Sequence, residues 1–341
     1  MRLYRQSRSK FWWVDHTFPN GERIRQSTKK TDKAVARIFA QDIIRQYEER
    51  RRISAKKGSF IAEYLEYARP RKNVKTVQNE IKVWNDFTAF AGSDRPIDFT
   101  VHMAEKFLTY LLERPHERLK GRKLSAAYVN KYHTTLKMMM NKAVRWKFAL
   151  ENPFAYIEEQ RFEPQVPRFL SQQEISVFLK KAQILYPHLV PALQMFLLTG
   201  LRRSELFRLE WADIEFEKKY IVVKRTKSKR ARFVPLTPMA EKILKGRTKL
   251  DRPFMENPDS VTNMVRRITK EAGFPEVSLH DLRRSFATHL APHVNKTILQ
   301  QLMGHEDYSV TDVFYIGSNA DFIRKEMVVL DRLIVDPFPK N

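Results

Sequence analysis

Residues 199–214 read TGLRRSELFRLEWADI, and they follow the apolar run PALQMFLLTG at residues 191–200. The apolar run predicts a buried helix that ends at a glycine turn. Arg202 stands where the chain leaves that turn, and Glu205, three residues on, lies on the same helical face and can hold its side chain. A planar guanidinium donates two hydrogen bonds to an oxyanion and stays charged. The stretch therefore predicts a site for phosphate.

Two further boxes supply groups of the same kind. In HDLRRSFATHL, residues 280–290, His280 and Arg283 are three positions apart, so on a helix they can converge on a single phosphate. In LMGH, residues 302–305, His305 follows a glycine. An H-x-x-R pair alone occurs by chance on many helix surfaces. The three boxes in this order predict one phosphate-binding site.

Composition indicates the kind of partner. The 341 residues carry a net charge of +24 and a pI near 10.1, which favours a polyanion, most commonly nucleic acid. No apolar run approaches the roughly 18 to 20 residues that span a bilayer, which argues against a membrane protein. The chain has no cysteine, so a reducing compartment is expected. We expect a cytoplasmic protein that associates with the nucleoid when it is bound to DNA.

Several cofactor motifs are absent from the sequence. There is no GxxxxGK[ST] phosphate loop, no HExxH metal motif and no pair of acids spaced for two metal ions. The expectation is therefore a protein that needs no cofactor or metal and stabilises phosphate charge with its own side chains.

The first segment, residues 1–57, is the most basic part of the chain. KFWWVDHTF at 10–18 and ERIRQST at 22–28 read as two short strands around Asn20-Gly21, a strong hairpin signal. A helix is predicted for residues 32–52. The segment is therefore expected to be a small basic sheet with one helix.

The predicted sheet carries arginines and tryptophans. Arg23 and Arg25 beside Trp12 and Trp13 could lie in a DNA groove. The alternative is that the tryptophans pack the sheet on the following helix, and for at least one of them packing is the expectation.

Residues 58–160 are predicted to be helical. In residues 125–148 the apolar positions recur at steps of three and four, which is the stripe of an amphipathic helix. Pro164 and Pro167 then break the helix and mark a linker. A third segment, 166–341, is predicted to be mixed and mostly helical, with a capping box at Ser171 and Glu174, and with a hairpin near residues 220–235. The fold class expected is mainly α with small β elements (α+β), in three domains.

The quoted boxes resemble those of the tyrosine recombinases of the phage integrase family. The resemblance covers nearly all of residues 167–316, through RFLSQQEI, TGLRRSELFRLEWADI, TKSKRARFVPL, HDLRRSFATHL and LMGHEDYSVTDVFY. Residues 1–57 and 58–160 are similar in layout only, to the arm-binding and four-helix core-binding domains of integrases. Residues 166–341 would be the catalytic domain with a C-terminal tail helix.

The resemblance implies catalytic roles. Arg202 and Arg283 would bind the non-bridging oxygens of the scissile phosphate, and His280 and His305 would donate to that phosphate or to the nucleophile. Glu205 would hold the Arg202 side chain without contacting the phosphate itself.

A lysine on the predicted hairpin would act as general acid and protonate the 5′-oxygen leaving group. The segment offers Lys224, Lys227 and Lys229. Spacing back from VPL favours Lys227, and the other two remain alternatives.

The nucleophile would be a tyrosine, which forms a 3′-phosphotyrosyl link and so needs neither ATP nor metal. Ser309 and Asp312 have capping-box spacing, which places Tyr308 just before a helix and Tyr315 inside it. Tyr315 also lies ten residues after His305, within the spacing of the family, and is the expected nucleophile.

The resemblance implies a site-specific recombinase, or integrase, that integrates and excises a mobile element. Its partners would be double-stranded DNA at core and arm sites, three further copies in a homotetramer, and a directionality factor as an additional candidate. The tail, with apolar Phe322, Met327, Leu330 and Ile334, would pack on a neighbouring subunit or on its own domain. The alternatives are a type IB-like topoisomerase or resolvase, and a catalytically silent DNA-binding protein.

Overall fold

The computed structural model describes residues 1–56, 58–115, 121, 123–163, 167–224, 231–247, 251–304 and 320–334. The chain forms two compact units, 1–164 and 165–341. In the described residues helices dominate and two small antiparallel sheets accompany them, which confirms the predicted fold class. None of these helices combines the length and the apolar character that crossing a membrane requires.

The first unit opens with a three-stranded sheet and a long helix: β1 (Arg2–Arg5), β2 (Trp12–Thr17), β3 (Arg23–Ser27) and α1 (Lys33–Ser54). The sequence predicted β2, β3 and α1 but missed β1. Its four residues, RLYR, are too short to show an alternating pattern, and pairing along β2 supplies the hydrogen bonds that make them a strand.

One face of this sheet packs toward α1. Val14 is fully buried there, and Trp12, two residues earlier, shares its face. The indole nitrogen of Trp12 donates to the Thr31 carbonyl oxygen at 3.1 Å. Trp12 therefore contacts the segment that leads into α1.

Four helices follow in the first unit: α2 (Phe60–Ala68), α3 (Val74–Ala91), α4 (Val101–Glu113) and α5 (Ala126–Arg145). Their core is aromatic, with Trp84 and Phe87 among its fully buried side chains. The segment after α1 is attached to this core, because Lys56 Nζ donates to the Trp146 carbonyl oxygen at 3.0 Å. A domain boundary between residues 57 and 58 stays a prediction.

The second unit is built from eight helices and one small sheet in its described part. In chain order these are α6 (Gln172–Leu185), α7 (Val190–Thr199), α8 (Arg203–Leu206), β4 (Ile214–Glu215), β5 (Tyr220–Val223), β6 (Arg232–Pro235), α9 (Pro238–Lys245), α10 (Pro258–Glu271), α11 (Leu279–Leu290), α12 (Lys296–Met303) and α13 (Ala320–Met327). The predicted capping box opens α6, with Ser171 N donating to Glu174 Oε2 at 2.8 Å and Glu174 N to Ser171 Oγ at 3.2 Å. The predicted hairpin is β5 paired with β6.

Helix α7 lies at the centre of the second unit. All but one of its residues are buried, and it packs against α11. It ends at Gly200, whose φ of 61° belongs to the left-handed region that favours glycine. A Cβ at Gly200 would collide with the Phe286 ring of α11. A glycine is required here, and it lets the residues after α7 approach those of α11.

The described part of the tail, residues 320–334, packs on its own unit. Ile323 and Met327 of α13 and Leu330 of the following turn are buried in the core, and Arg324 Nε donates to the Leu236 carbonyl oxygen at 2.6 Å. Phe322, which the sequence placed on the apolar face, is 54% exposed. It stands five residues before Met327, which is about 140° away around a helix, so Ile323 takes the inward position.

Candidate active site

Arg202 precedes α8 directly after the Gly200 turn. Its backbone nitrogen donates to Glu205 Oε2 at 2.7 Å, and its Nη1 donates to Glu205 Oε1 at 3.0 Å. The predicted contact between the two side chains is therefore present. It holds the guanidinium against the first turn of α8.

Arg232 is a member of this cluster that the sequence analysis missed. It is the first residue of β6 and is 1% exposed. Its Nη1 and Nη2 donate to Glu205 Oε1 at 2.9 Å and to Oε2 at 2.7 Å. Strand alternation could have indicated it, because Arg232 lies two residues before the buried Val234 and so shares the inward face of the strand.

Glu205 serves two guanidinium groups with one carboxylate. Burial alone would raise its pKa, but hydrogen bonds and charge from Arg232, and hydrogen bonds from Arg202, outweigh burial and lower the pKa to about 2. The carboxylate is therefore ionised throughout the physiological range.

Arg283 brings a third guanidinium from α11. It is 2% exposed, donates to the carbonyl oxygens of Gly200 and Met303, and lies 3.9 Å from Glu205. Burial, followed by the charges of Arg202 and Arg232, lowers the pKa of Arg283 from its usual value. A bound anion would oppose that shift.

The three arginines also hold the end of α12. Arg232 Nε donates to Leu302 O at 3.0 Å, Arg283 to Met303 O, and Arg202 Nη2 to Gly304 O at 2.7 Å. Gly304 closes the helix at a φ of 62°, and a Cβ there would meet both Arg232 and Arg202. Three successive carbonyls, just before His305, thus each accept from a different guanidinium.

His280 lies in the first turn of α11, which Ser278 and Asp281 cap reciprocally. Its side chain is exposed, unlike that of Arg283. Partial burial and the charges of Arg284, Arg283 and Arg202 lower the pKa of His280, while Asp281 opposes them. The lowered pKa favours the neutral imidazole, which can donate one hydrogen bond.

The structure thus brings Arg202, Glu205, Arg283 and His280 into one neighbourhood and adds Arg232. Of the other predicted site residues, Lys227, His305 and Tyr315 lie outside the described residues, as do Lys229 and Tyr308.

One alternative to Lys227 is described. Lys224 Nζ lies 3.0 Å from Asp213 Oδ1 at the end of β5. The Lys224 side chain is 57% exposed in this pair, and the choice of Lys227 stays a prediction.

Replacing Glu205 by glutamine is expected to destabilise the full chain by about 3–5 kcal/mol at pH 7, because it leaves buried guanidinium charge uncompensated. A folded pKa near 2, below the usual 4.5, means that ionised Glu205 contributes its full stability above pH 4.5 and loses it as the pH falls toward 2. The difference in the free energy of unfolding between wild type and Glu205→Gln should therefore narrow below pH 4.5. Urea unfolding between pH 7 and pH 3 measures it, with exposed Glu217→Gln as control. A difference that does not change with pH would contradict this account.

Comparison with known families covers the chain segment by segment. The Phage integrase family matches residues 168–321, the Phage integrase N-terminal domain matches 2–44, and the Phage integrase SAM-like domain matches 58–162.

Curated relatives agree with these matches. A tyrosine recombinase of Pseudothermotoga lettingae is 30% identical over 205 residues, which cover 56% of this chain and 71% of the relative. Tyrosine recombinase XerC of Oceanobacillus iheyensis is 29% identical over 284 residues, 75% of this chain and 90% of the relative.

Solved structures share the fold. A lambda integrase tetramer bound to a Holliday junction superposes with a TM-score of 0.63 at 17% identity, over 90% of this chain and 97% of that one. The Tn1549 transposon integrase in complex with a circular intermediate DNA gives 0.61 at 20% identity, over 76% and 98%. The chain shares the fold of these integrases. The chain belongs to the phage integrase family, and it is a tyrosine recombinase.

Proposed function

We propose that this tyrosine recombinase is the integrase of a mobile element. It cleaves DNA at specific sites through a 3′-phosphotyrosyl intermediate formed by Tyr315, and a 5′-hydroxyl from another strand reverses the step. The bond energy is kept in the intermediate, so neither ATP nor a metal ion takes part.

The observation that carries this proposal is a surplus of positive charge in a cluster where Arg232 and Arg283 are buried and the Arg202 side chain is 33% exposed. Arg202, Arg232 and Arg283 meet Glu205, the one carboxylate described among them, so the cluster holds a net charge of +2. Buried charge is costly unless it is paired. A scissile phosphate supplies the missing negative charge, and a pentacoordinate transition state, which gathers more of it, is bound more tightly still.

The remaining roles are those that the resemblance of the sequence motifs implies. Arg202 and Arg283 bind the non-bridging oxygens, and His280 donates to the phosphate or to the nucleophile. His305 donates to the same phosphate or to the nucleophile, and Lys227 protonates the departing 5′-oxygen.

The domain assignment supports integration in particular. Residues 1–57 are proposed to bind arm sites, 58–160 to bind the core site, and 166–341 to carry the chemistry. The match of residues 2–44 to an integrase N-terminal domain supports the first assignment. Because a related integrase is a tetramer on a Holliday junction, we propose a homotetramer on double-stranded DNA, at the nucleoid in the cytoplasm, with a directionality factor as a further partner.

The test uses a nicked suicide duplex that carries the candidate attachment site beside the protein's own gene. Cleavage next to the nick releases a short fragment, so the reverse reaction is lost and the adduct accumulates. We expect a protein–DNA adduct on a denaturing gel, formed equally with and without EDTA. Absence of an adduct would overturn the proposal. Relaxation of supercoiled plasmid that lacks the site would favour a topoisomerase instead.

Arm binding has its own prediction, based on the sheet face opposite α1. Arg23 donates to both carboxylate oxygens of Asp15, at 2.7 and 2.5 Å, and Arg25 lies 3.4 Å from the same group. Replacing both arginines by glutamine should weaken binding to an arm-site duplex and lower the log–log salt slope by about 2, one for each lost phosphate contact.

Core-site cleavage should not change in that variant. The matched control, Arg37→Gln with Arg45→Gln, removes the same charge from the exposed surface of α1. Equal loss of arm binding by both double variants would show that net charge, not the sheet, is responsible.

A further inference from the structure

We propose that Arg232 is a positioning residue for strand cleavage, which fixes the direction of the Arg202 guanidinium without touching the DNA. This inference rests on the proposed function, in which Arg202 binds the scissile phosphate. It adds to that function a residue that acts through another.

Arg232 fixes the carboxylate that holds Arg202. Its two terminal nitrogens donate to both oxygens of Glu205, and this bidentate contact sets the plane of the carboxylate. The Glu205 side chain is only 3% exposed, so water has little access to replace a lost guanidinium. The plane of the carboxylate in turn determines where Arg202 Nη1 is held, at 3.0 Å from Oε1.

Arg232 also holds the second anchor of Arg202. The Nη2 of Arg202 donates to the Gly304 carbonyl oxygen, and Arg232 Nε donates to the carbonyl of Leu302 in the same turn. Nη1 and Nη2 of Arg202 therefore both donate to groups that Arg232 holds in place, namely the Glu205 carboxylate and the last turn of α12. Loss of Arg232 would free both anchors at once.

Arg232 is not accessible to a ligand, because only 1% of the residue is exposed. Its Nε, Nη1 and Nη2 are all engaged inside the protein. Lysine would keep the charge, but one ammonium cannot hold two carboxylate oxygens and a carbonyl in the fixed geometry of a guanidinium. The role therefore depends on shape as well as on charge.

The experiment compares Arg232→Met and Arg232→Lys with wild type in single-turnover adduct formation on the nicked attachment-site duplex. We expect the rate to fall by about 10- to 100-fold for Arg232→Met, the range found when residues that orient metal ligands are removed. Arg232→Lys should also be slower than wild type. DNA binding, measured separately, should stay within about threefold.

A matched control separates positioning from stability. Arg247 is likewise largely buried, with Nη2 3.0 Å from Glu256 and Nε donating to the Pro253 carbonyl oxygen at 2.5 Å. Arg247→Met should lower the thermal midpoint yet leave the adduct rate unchanged at temperatures where both proteins are folded.

A second readout reports on phosphate charge. With a neutral methylphosphonate at the scissile position, a displaced Arg202 has less charge to stabilise, so the ratio of the wild-type rate to the Arg232→Met rate should shrink. A purely structural defect would slow both substrates by the same factor and would overturn the proposal.

The outcomes distinguish the two proposals. If wild type forms no adduct, the proposed function fails. If wild type forms the adduct and both Arg232 variants match its rate, the function stands and the positioning role is wrong. If Arg232→Met does not fold, Arg232→Lys, which keeps a cation beside Glu205, decides the question through its rate.

Discussion

Replacing Tyr315 by phenylalanine is expected to abolish the covalent adduct completely. The substitution removes only the hydroxyl oxygen that forms the phosphotyrosyl bond, so no other bond can hold the DNA to the protein through a denaturing gel. The ring is kept, and the affinity for the attachment-site duplex should therefore stay at the wild-type value. The measurement is adduct formation on the nicked duplex, alongside binding of the same duplex under native conditions.

Tyr308→Phe is the matched control, because it makes the same chemical change seven residues away. It should form the adduct at the wild-type rate, since Tyr308 is predicted to pack before the helix that carries Tyr315. Loss of the adduct in Tyr308→Phe with its retention in Tyr315→Phe would reverse the assignment. Retention in both would exclude either tyrosine as the nucleophile.

Replacing Arg283 by methionine is expected to slow adduct formation by about a hundred- to a thousandfold, the loss typical of one preorganised donor to a developing negative charge. Its guanidinium is buried at the junction of α7 and α12, where low polarity strengthens its attraction to phosphate. Rate and affinity are measured separately, because a donor that acts mainly in the transition state lowers the rate more than it lowers binding.

The control for this variant is again Arg247→Met, which removes a buried guanidinium from the same unit away from the cluster. If the two variants lose activity in proportion to their loss of stability, Arg283 has only a structural role. If Arg283→Met alone loses the reaction at a temperature where both are folded, the phosphate-binding role holds.

Sequence patterns predicted features that depend on neighbours in the chain. The contact between Arg202 and Glu205 spans three residues of one box, and the capping box of Ser171 is local in the same way. The helical stripe of α5 followed from its period, and the buried positions of that stripe are Val129, Tyr132, Leu136, Met139 and Ala143.

Features that depend on distant segments were not predicted. Arg232 contacts Glu205 across 27 residues, and no pattern in the sequence predicts that β6 lies next to α8. The carbonyl acceptors at the end of α12 could not be predicted either, because every residue has a carbonyl and none carries a signature for this use. The roles of Lys227, His305 and Tyr315 remain predictions.

The shared carboxylate has a consequence for attempts to redesign this enzyme. Because Glu205 binds Arg202 and Arg232 and lies near Arg283, these four side chains are energetically coupled, and residues in one ion-pair network do not respond additively to substitution. A substitution at any one of the four positions therefore changes the energies of the other three side chains as well. A library that varies single positions will therefore underestimate what the cluster tolerates, and variants with altered chemistry should be sought by changing the four residues together.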